Sequence, residues 1–342
     1  EAVTYLSSIN KTTVHTAAGV ASSVSTITSN GAPASSSTFS LTTKEDTFTG
    51  GDGADVFTAT SGTFSLNDVL KGGAGVDRIN YLDNTDSGTS DIPVAAATSI
   101  EKWYIRHIET GNSLEKYDFG AIVGETEVWN DRSIDDVDFD ALGTGTTVGV
   151  LGDGVTVVDA TNFHYATATD AVSLAIKGGV GAVGTAPAIS ASAGTATKAT
   201  ITSTGAANTL GVVDLAVTTL TDVTVTATTN LKGDFFNETT DQIGTDGSIT
   251  ISGEATSVEF TGALDNTIKT IDASGLTSGG FTGTLGTLVS QSFTGGGGTD
   301  VFTTGAAPTS GLIAAGAGTD KLILGAATHL DTAAEAALFK SD

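Results

Sequence analysis

Across the middle of the chain, every second residue is apolar in a series of short runs. TVGVL (147–151), AVSLAI (171–176), ATITS (199–203), DVTVTAT (222–228) and SITIS (248–252) share this period, which belongs to a strand with one buried face. Their starts lie about 22–29 residues apart, as in successive rungs of an irregular solenoid. A β-sandwich gives similar runs and turns and is the alternative. Helical periodicity is confined to the two ends. Val14, Ala17, Ala21, Val24 and Ile27 recur at three- and four-residue steps and predict an amphipathic helix within residues 1–30, with Val3, Leu6 and Ile9 in a shorter one before it. SNGAPASSST (29–38) then reads as a linker. DTAAEAALFK (331–340) predicts the start of a further helical element within 326–342, with Asp331 as N-cap and Leu338 and Phe339 on its apolar face. The expected fold is all-β: an irregular right-handed parallel β-solenoid or β-roll with a short helical N-terminal segment.

Glycine divides the rest. GGDGADVFT (50–58), GGAGVDRIN (72–80) and GGGGTDVFT (295–303) all fit G-G-x-G-x-D-x-U-x, where U is large and apolar, and AGAGTDKLI (315–323) fits with Ala315 in the first slot. Each copy has an apolar partner nine residues earlier: Phe48 before Phe57, Leu70 before Ile79, Phe293 before Phe302 and Ile313 before Leu322. Asp46 and Asp68 precede Asp55 and Asp77 by the same step, whereas the later copies carry Gln291 and Gly311 there. Nine residues make a six-residue turn and a three-residue strand, half a coil of a parallel roll. Glycine supplies the positive-φ conformations of such a turn and lets carbonyls point inward. Aspartate adds carboxylates, and two stacked turns then offer about six hard oxygens, a set that Ca²⁺ accepts and Mg²⁺ resists. The candidate calcium ligands are Asp46, Gly51, Gly53, Asp55, Asp68, Gly73, Gly75, Asp77, Gly296, Gly298, Asp300, Gly316, Gly318 and Asp320. Metal-free Gly-Asp turns in a solenoid are the alternative. The organisation expected is a roll at 39–80, an aromatic and acidic β segment at 81–142, solenoid rungs at 143–290 and a second calcium-binding roll at 291–325.

Charge sharpens the expectation. The 342 residues carry 39 acidic and 14 basic side chains, a net −25. That balance argues against nucleic acid, whose phosphates need Lys and Arg, and against docking to an anionic membrane surface. It fits either a self-repelling soluble surface or carboxylates completed by divalent cations. No apolar run approaches a membrane span, so no membrane insertion is expected. Cysteine is absent, which removes disulfides, thiolate metal sites and Cys nucleophiles. The chain starts at Glu1 without Met and reads as a fragment of something longer.

Other constellations have plainer readings. In DDVDFDAL (135–142), Asp136, Asp138 and Asp140 fall on one side of a strand. They resemble the start of an EF-hand loop but lack its glycine and closing Glu; a solvated strand face is expected, with a loosely held Ca²⁺ as the alternative. Trp103, Tyr104, His107, Tyr117 and Trp129 are expected to pack as a core, with a sugar-binding shelf as the alternative. The four histidines are scattered without H-E-x-x-H, and G-x-S-x-G is missing. Glu125 and Glu127 flank Thr126 and are expected to face solvent. No residue set points to an enzyme.

The nonapeptide is that of RTX proteins. SLTTKEDTFTGGDGADVF, DVLKGGAGVDRINY and TSIEKWYI together resemble the RTX-type surface-layer proteins of Caulobacter-type bacteria. The resemblance implies an extracellular, cell-surface structural protein that leaves the cell by a type I exporter, folds when it meets Ca²⁺ and assembles with copies of itself, with cell-surface polysaccharide as a possible further partner. A calcium-dependent RTX adhesin or biofilm-matrix protein that binds glycans is the alternative. No exporter signal is recognisable at the C-terminal end.

Overall fold

The computed structural model describes residues 35–85, 92, 97–111, 114–192, 194–215, 217–237, 242–287 and 290–340. The expected N-terminal helix lies outside them. The described chain is a parallel β-solenoid. Its strands alternate between a 14-stranded sheet and an opposing face made by a 10-stranded and a 3-stranded sheet, and every strand pairing is parallel. The long sheet runs without interruption from Thr38–Ser40 at one end to Phe339–Lys340 at the other, so the four stretches distinguished by composition share one sheet. Among the described residues no helix is long and apolar enough to cross a membrane.

The alternation builds the core directly. Phe57, Ile79, Trp103, Val128, Val148, Leu174, Ile201, Val225 and Ile251 pair rung by rung into one inward column of the long sheet. All nine are buried. Opposite them Tyr117, Phe139 and Phe163 pair in the same way, with ring centroids 5.5 and 5.1 Å apart. Adjacent strands lie about 4.8 Å apart, close to the stacking distance of aromatic rings, so identical slots in successive rungs favour flat side chains.

The C-terminal element differs from expectation. A 3₁₀ turn (Ala327–Leu330) leads into a four-residue helix, Ala333–Ala336, capped by Thr332 and not by Asp331. Thr332 and Glu335 form a reciprocal capping box, and Asp331 instead donates its N–H to Glu335 Oε2. Phe339 belongs to a strand that pairs with Ile313–Ala314. Its ring packs against the core, which decides between strand and helix there.

Candidate metal centres at the sheet edges

Each glycine–aspartate turn joins two strands of the roll and stacks on its copy in the next rung. Thr47–Thr49 pairs with Val69–Lys71, and the strands that follow the turns, Val56–Thr60 and Arg78–Asp83, pair with Phe57 opposite Ile79. In the second group Phe293 pairs with Ile313 and Phe302 with Leu322. The 22- and 20-residue offsets are thus single rungs. The first two turns enter the long sheet, whereas the turns at 295–300 and 315–320 leave it for the ten-stranded sheet. The two groups therefore lie at opposite edges of the long sheet.

Within a stack the aspartates form a ladder. Asp55 Oδ2 accepts from Gly51 N at 2.7 Å, its Oδ1 accepts from Ser37 N at 2.5 Å, and Asp77 Oδ1 accepts from Asp55 N at 2.7 Å. Asp300 accepts from Gly296 N (3.0 Å) and Phe281 N (2.7 Å), and Asp320 Oδ1 from Asp300 N (3.0 Å). At the other corner of the first roll, Asp68 accepts from Asp46 N (2.8 Å) and Ser65 N (2.7 Å), and Asp46 from Thr42 N (2.6 Å). The predicted carboxylates thus come together as three stacked pairs: Asp55–Asp77, Asp46–Asp68 and Asp300–Asp320. Gln291 takes the slot equivalent to Asp46 in the second group. It donates to Ile268 O and accepts from Gly286 N, so a neutral amide satisfies that corner alone.

The glycines act in two ways. Gly73, Gly75, Gly316 and Gly318 have φ of +102°, +118°, +84° and +133°. A Cβ on any of them would strike the carbonyl oxygen of Gly51, Gly53, Gly296 or Gly298, respectively. Those four partners are not themselves in the positive-φ region, so the positive-φ role falls to the second copy of each pair. In the first copy of each pair, glycine serves close approach; Gly53, for example, lies against the Ser35 carbonyl. Gly73→Ala is expected to destabilise the chain by about 1–3 kcal/mol through strain and contact, measured by chemical denaturation.

The donor set fits a hard cation. Asp55, Asp68, Asp77 and Asp300 are fully buried, yet among the described residues no Lys or Arg pairs with them. A carboxylate oxygen that accepts one hydrogen bond keeps a second acceptor position. Asp77 Oδ2 is buried with no hydrogen-bond partner at all. Burial raises the pKa of Asp77 and of Asp300, with neighbouring carboxylates adding to the rise. Buried like charges without a counter-ion are unfavourable, and a divalent ion between the turns would remove that penalty.

The other predicted sets divide. Asp138 is buried and accepts from Asn162 Nδ2 at 2.6 Å, and Ala141 has φ +58°, which ends the strand's alternation; the three aspartates do not form one solvated face. Asp136 instead meets Asp135 and Asp159, with ligand oxygens within 4.8 Å of one another, the one such group of three acidic or His side chains among the described residues. Its pKa is raised by burial and then by Asp159. Nothing at the sequence level brings 135 and 159 together, because their contact depends on the rung spacing. Of the aromatic set, Trp103, His107 and Tyr117 are interior. Tyr104 and Trp129 stack on the outward side of the long sheet, 5.7 Å apart at 7°, with Trp129 itself buried. The ring of Tyr104 is covered by Trp129 from one neighbouring strand and by the Arg78 guanidinium, 5.3 Å from its centre, from the other.

Comparison with known proteins returns no match. No protein-family model, curated protein or solved structure matches the chain.

Proposed function

We propose that this chain is a secreted, calcium-dependent surface-layer structural protein that folds and assembles with its own copies on the cell surface when Ca²⁺ enters its glycine–aspartate turns. The observation that carries this reading is the buried, unpartnered Asp77 Oδ2 inside a stack of carboxylates and glycine carbonyls. Asp46, Asp55, Asp68, Asp77, Asp300 and Asp320 would hold the ions, with carbonyls of the paired glycines. A bound ion supplies charge neutralisation and ties successive rungs together. With a net charge of −25, copies of the chain repel one another at low ionic strength, and neutralised carboxylates allow lateral packing. Where extracellular Ca²⁺ is about 10⁻³ M, modules with Kd of roughly 10⁻⁴–10⁻³ M are substantially loaded. The cover over the Tyr104 ring speaks against a sugar-binding shelf at that position. Sedimentation and electron microscopy with and without calcium test the proposal. Ordered assemblies that dissolve on chelation are expected; a monomer in both conditions would overturn it.

A further inference from the structure

The glycine–aspartate ladder does not end where the motif ends. The third rung of the first roll has no G-G-x-G-x-D, yet it occupies the same position. Ala97–Thr98 pairs with Leu70–Lys71, and Lys102–His107 pairs with Arg78–Asp83. The turn between them contains only Ser99, Ile100 and Glu101, where the second rung has six residues, 72–77. Two features make up for the shortening. Ser99 adopts φ +53°, the left-handed conformation that glycine supplies in the motif. Glutamate, longer than aspartate by one methylene, reaches back so that its Oε2 accepts from Asp77 N at 2.8 Å. Asp77 makes the same bond to Asp55 N.

The oxygens converge as they do in the motif rungs. A Cβ on Gly50 would strike both the Gly72 carbonyl oxygen and Asp55 Oδ2. A Cβ on Gly72 would strike both the Ser99 carbonyl oxygen and Asp77 Oδ2. Ser99 thus stands where Gly72 stands one rung earlier, and it brings its carbonyl over the oxygen that has no partner. Asp77 is 0% exposed and its Oδ2 is sealed from solvent. Among the described residues no donor reaches Glu101 Oε1 either.

We infer that Asp77, the Ser99 carbonyl and Glu101 form a further divalent-cation position, between the second rung and a third rung that carries no calcium motif. It rests on the calcium reading of the motif turns. Its ligands are one buried carboxylate oxygen, one main-chain carbonyl and one partly exposed carboxylate, the mixture that Ca²⁺ takes with water completing its shell. Loaded in this way, the position continues the ion column by one rung and joins the roll to the solenoid rungs that follow it.

A lanthanide reports on this position directly. Trp103 lies two residues beyond Glu101, and its indole Nε1 donates to Ile100 O at 3.1 Å, so the ring is anchored on the turn itself. Terbium titration of the whole chain with tryptophan excitation is expected to give emission that falls severalfold in Trp103→Phe and remains in Trp129→Phe. Calorimetric calcium titration of Glu101→Gln is expected to show one ion fewer, or one site weakened at least tenfold, while the sites of the Asp300–Asp320 stack titrate as before. Glu101→Asp, which keeps the charge but withdraws the carboxylate, is expected to weaken the same site. If the parent chain binds calcium and both Glu101 variants bind the same number of ions with unchanged affinity, the inference is overturned and the calcium reading stands. Terbium emission unaffected by Trp103→Phe overturns it as well, even if the Glu101 variants do not fold. If the parent chain binds no calcium, the broader reading fails first.

Discussion

Raising free calcium from submicromolar to millimolar levels is expected to raise the unfolding free energy of this chain by about 4 kcal/mol. Three stacked acid pairs are involved, and a site with Kd of roughly 10⁻⁴ M contributes about 1.4 kcal/mol at tenfold saturation. Set against a total stability of about 5–15 kcal/mol, that share decides whether much of the population is folded. The dependence has a shape as well as a size. Once the sites are saturated, each further tenfold rise in calcium adds about 1.4 kcal/mol per ion bound only to the native state. Magnesium, which demands near-octahedral geometry and gives up its water reluctantly, is expected to do little at equal concentration. Urea titration followed by circular dichroism at fixed free calcium measures both. The physical source of the effect is visible in the acid stack. Asp55, Asp77 and Asp300 are buried, the bonds linking Asp55 to Asp77 and Asp300 to Asp320 are made by backbone N–H groups, and among the described residues no Lys or Arg forms an ion pair with them. An unfolding midpoint that is the same with excess chelator as with calcium would show that backbone hydrogen bonds alone hold these turns.

The strands of one sheet were far more legible in the sequence than those of the other. TVGVL, AVSLAI, ATITS and SITIS lie within strands Thr147–Leu151, Ala171–Lys177, Lys198–Thr204 and Ile243–Gly253, and DVTVTAT runs one residue past the end of Leu220–Ala227, all of the long sheet. There the inward residues are mostly Val, Ile and Leu and the outward ones mostly Ser and Thr, so hydropathy follows the pleat. The intervening strands break that rule. In Leu231–Phe235 the middle inward position is Gly233, because the Phe235 ring fills the space its side chain would need, 2.6 Å from a hypothetical Cβ. Gly283 stands in the same relation to Phe281. An aromatic ring leaning over a glycine buries as much surface as two medium side chains, but it erases the alternation that marks a strand. The acid stacks divide along similar lines. Their motif copies were legible because a tight turn restricts residue choice to glycine and aspartate. Glu101 was not, because a shorter turn with a longer acid reaches the same point with none of the motif's letters. The Asp135–Asp159 contact depends on how the rungs stack, which no local pattern states.

Replacing Asp83 with alanine is expected to destabilise the chain by about 3–5 kcal/mol, the range for breaking a buried charged pair. Asp83 closes the strand Arg78–Asp83 and is fully buried at a corner of the solenoid. Its Oδ2 accepts from the Tyr117 hydroxyl at 2.9 Å and lies 3.7 Å from His107 Nδ1, while its Oδ1 accepts from Thr85 N and Thr85 Oγ1. Alanine leaves the phenol and the imidazole in the interior without that carboxylate. The same cluster sets a pH dependence. Asp83 raises the His107 pKa; desolvation opposes the rise, and Glu115 and Asp135 reinforce it. A histidine held above its unfolded value of about 6.5 contributes stability that is complete below that pH and is lost as pH rises through the folded value. Stability is therefore expected to fall as pH rises above about 6.5, with the fall ending once His107 is neutral in the folded chain. Asp83→Asn keeps a hydrogen-bond acceptor for Tyr117 and removes the charge, so it is expected to flatten this fall while costing less than the alanine variant. Denaturation midpoints of the parent chain and both variants across this range, at constant free calcium, measure the effect. A parent profile that rises with pH, or one that Asp83→Asn leaves unchanged, would mean that His107 is neutral in the folded chain and that its burial opposite Asp83 is packing alone.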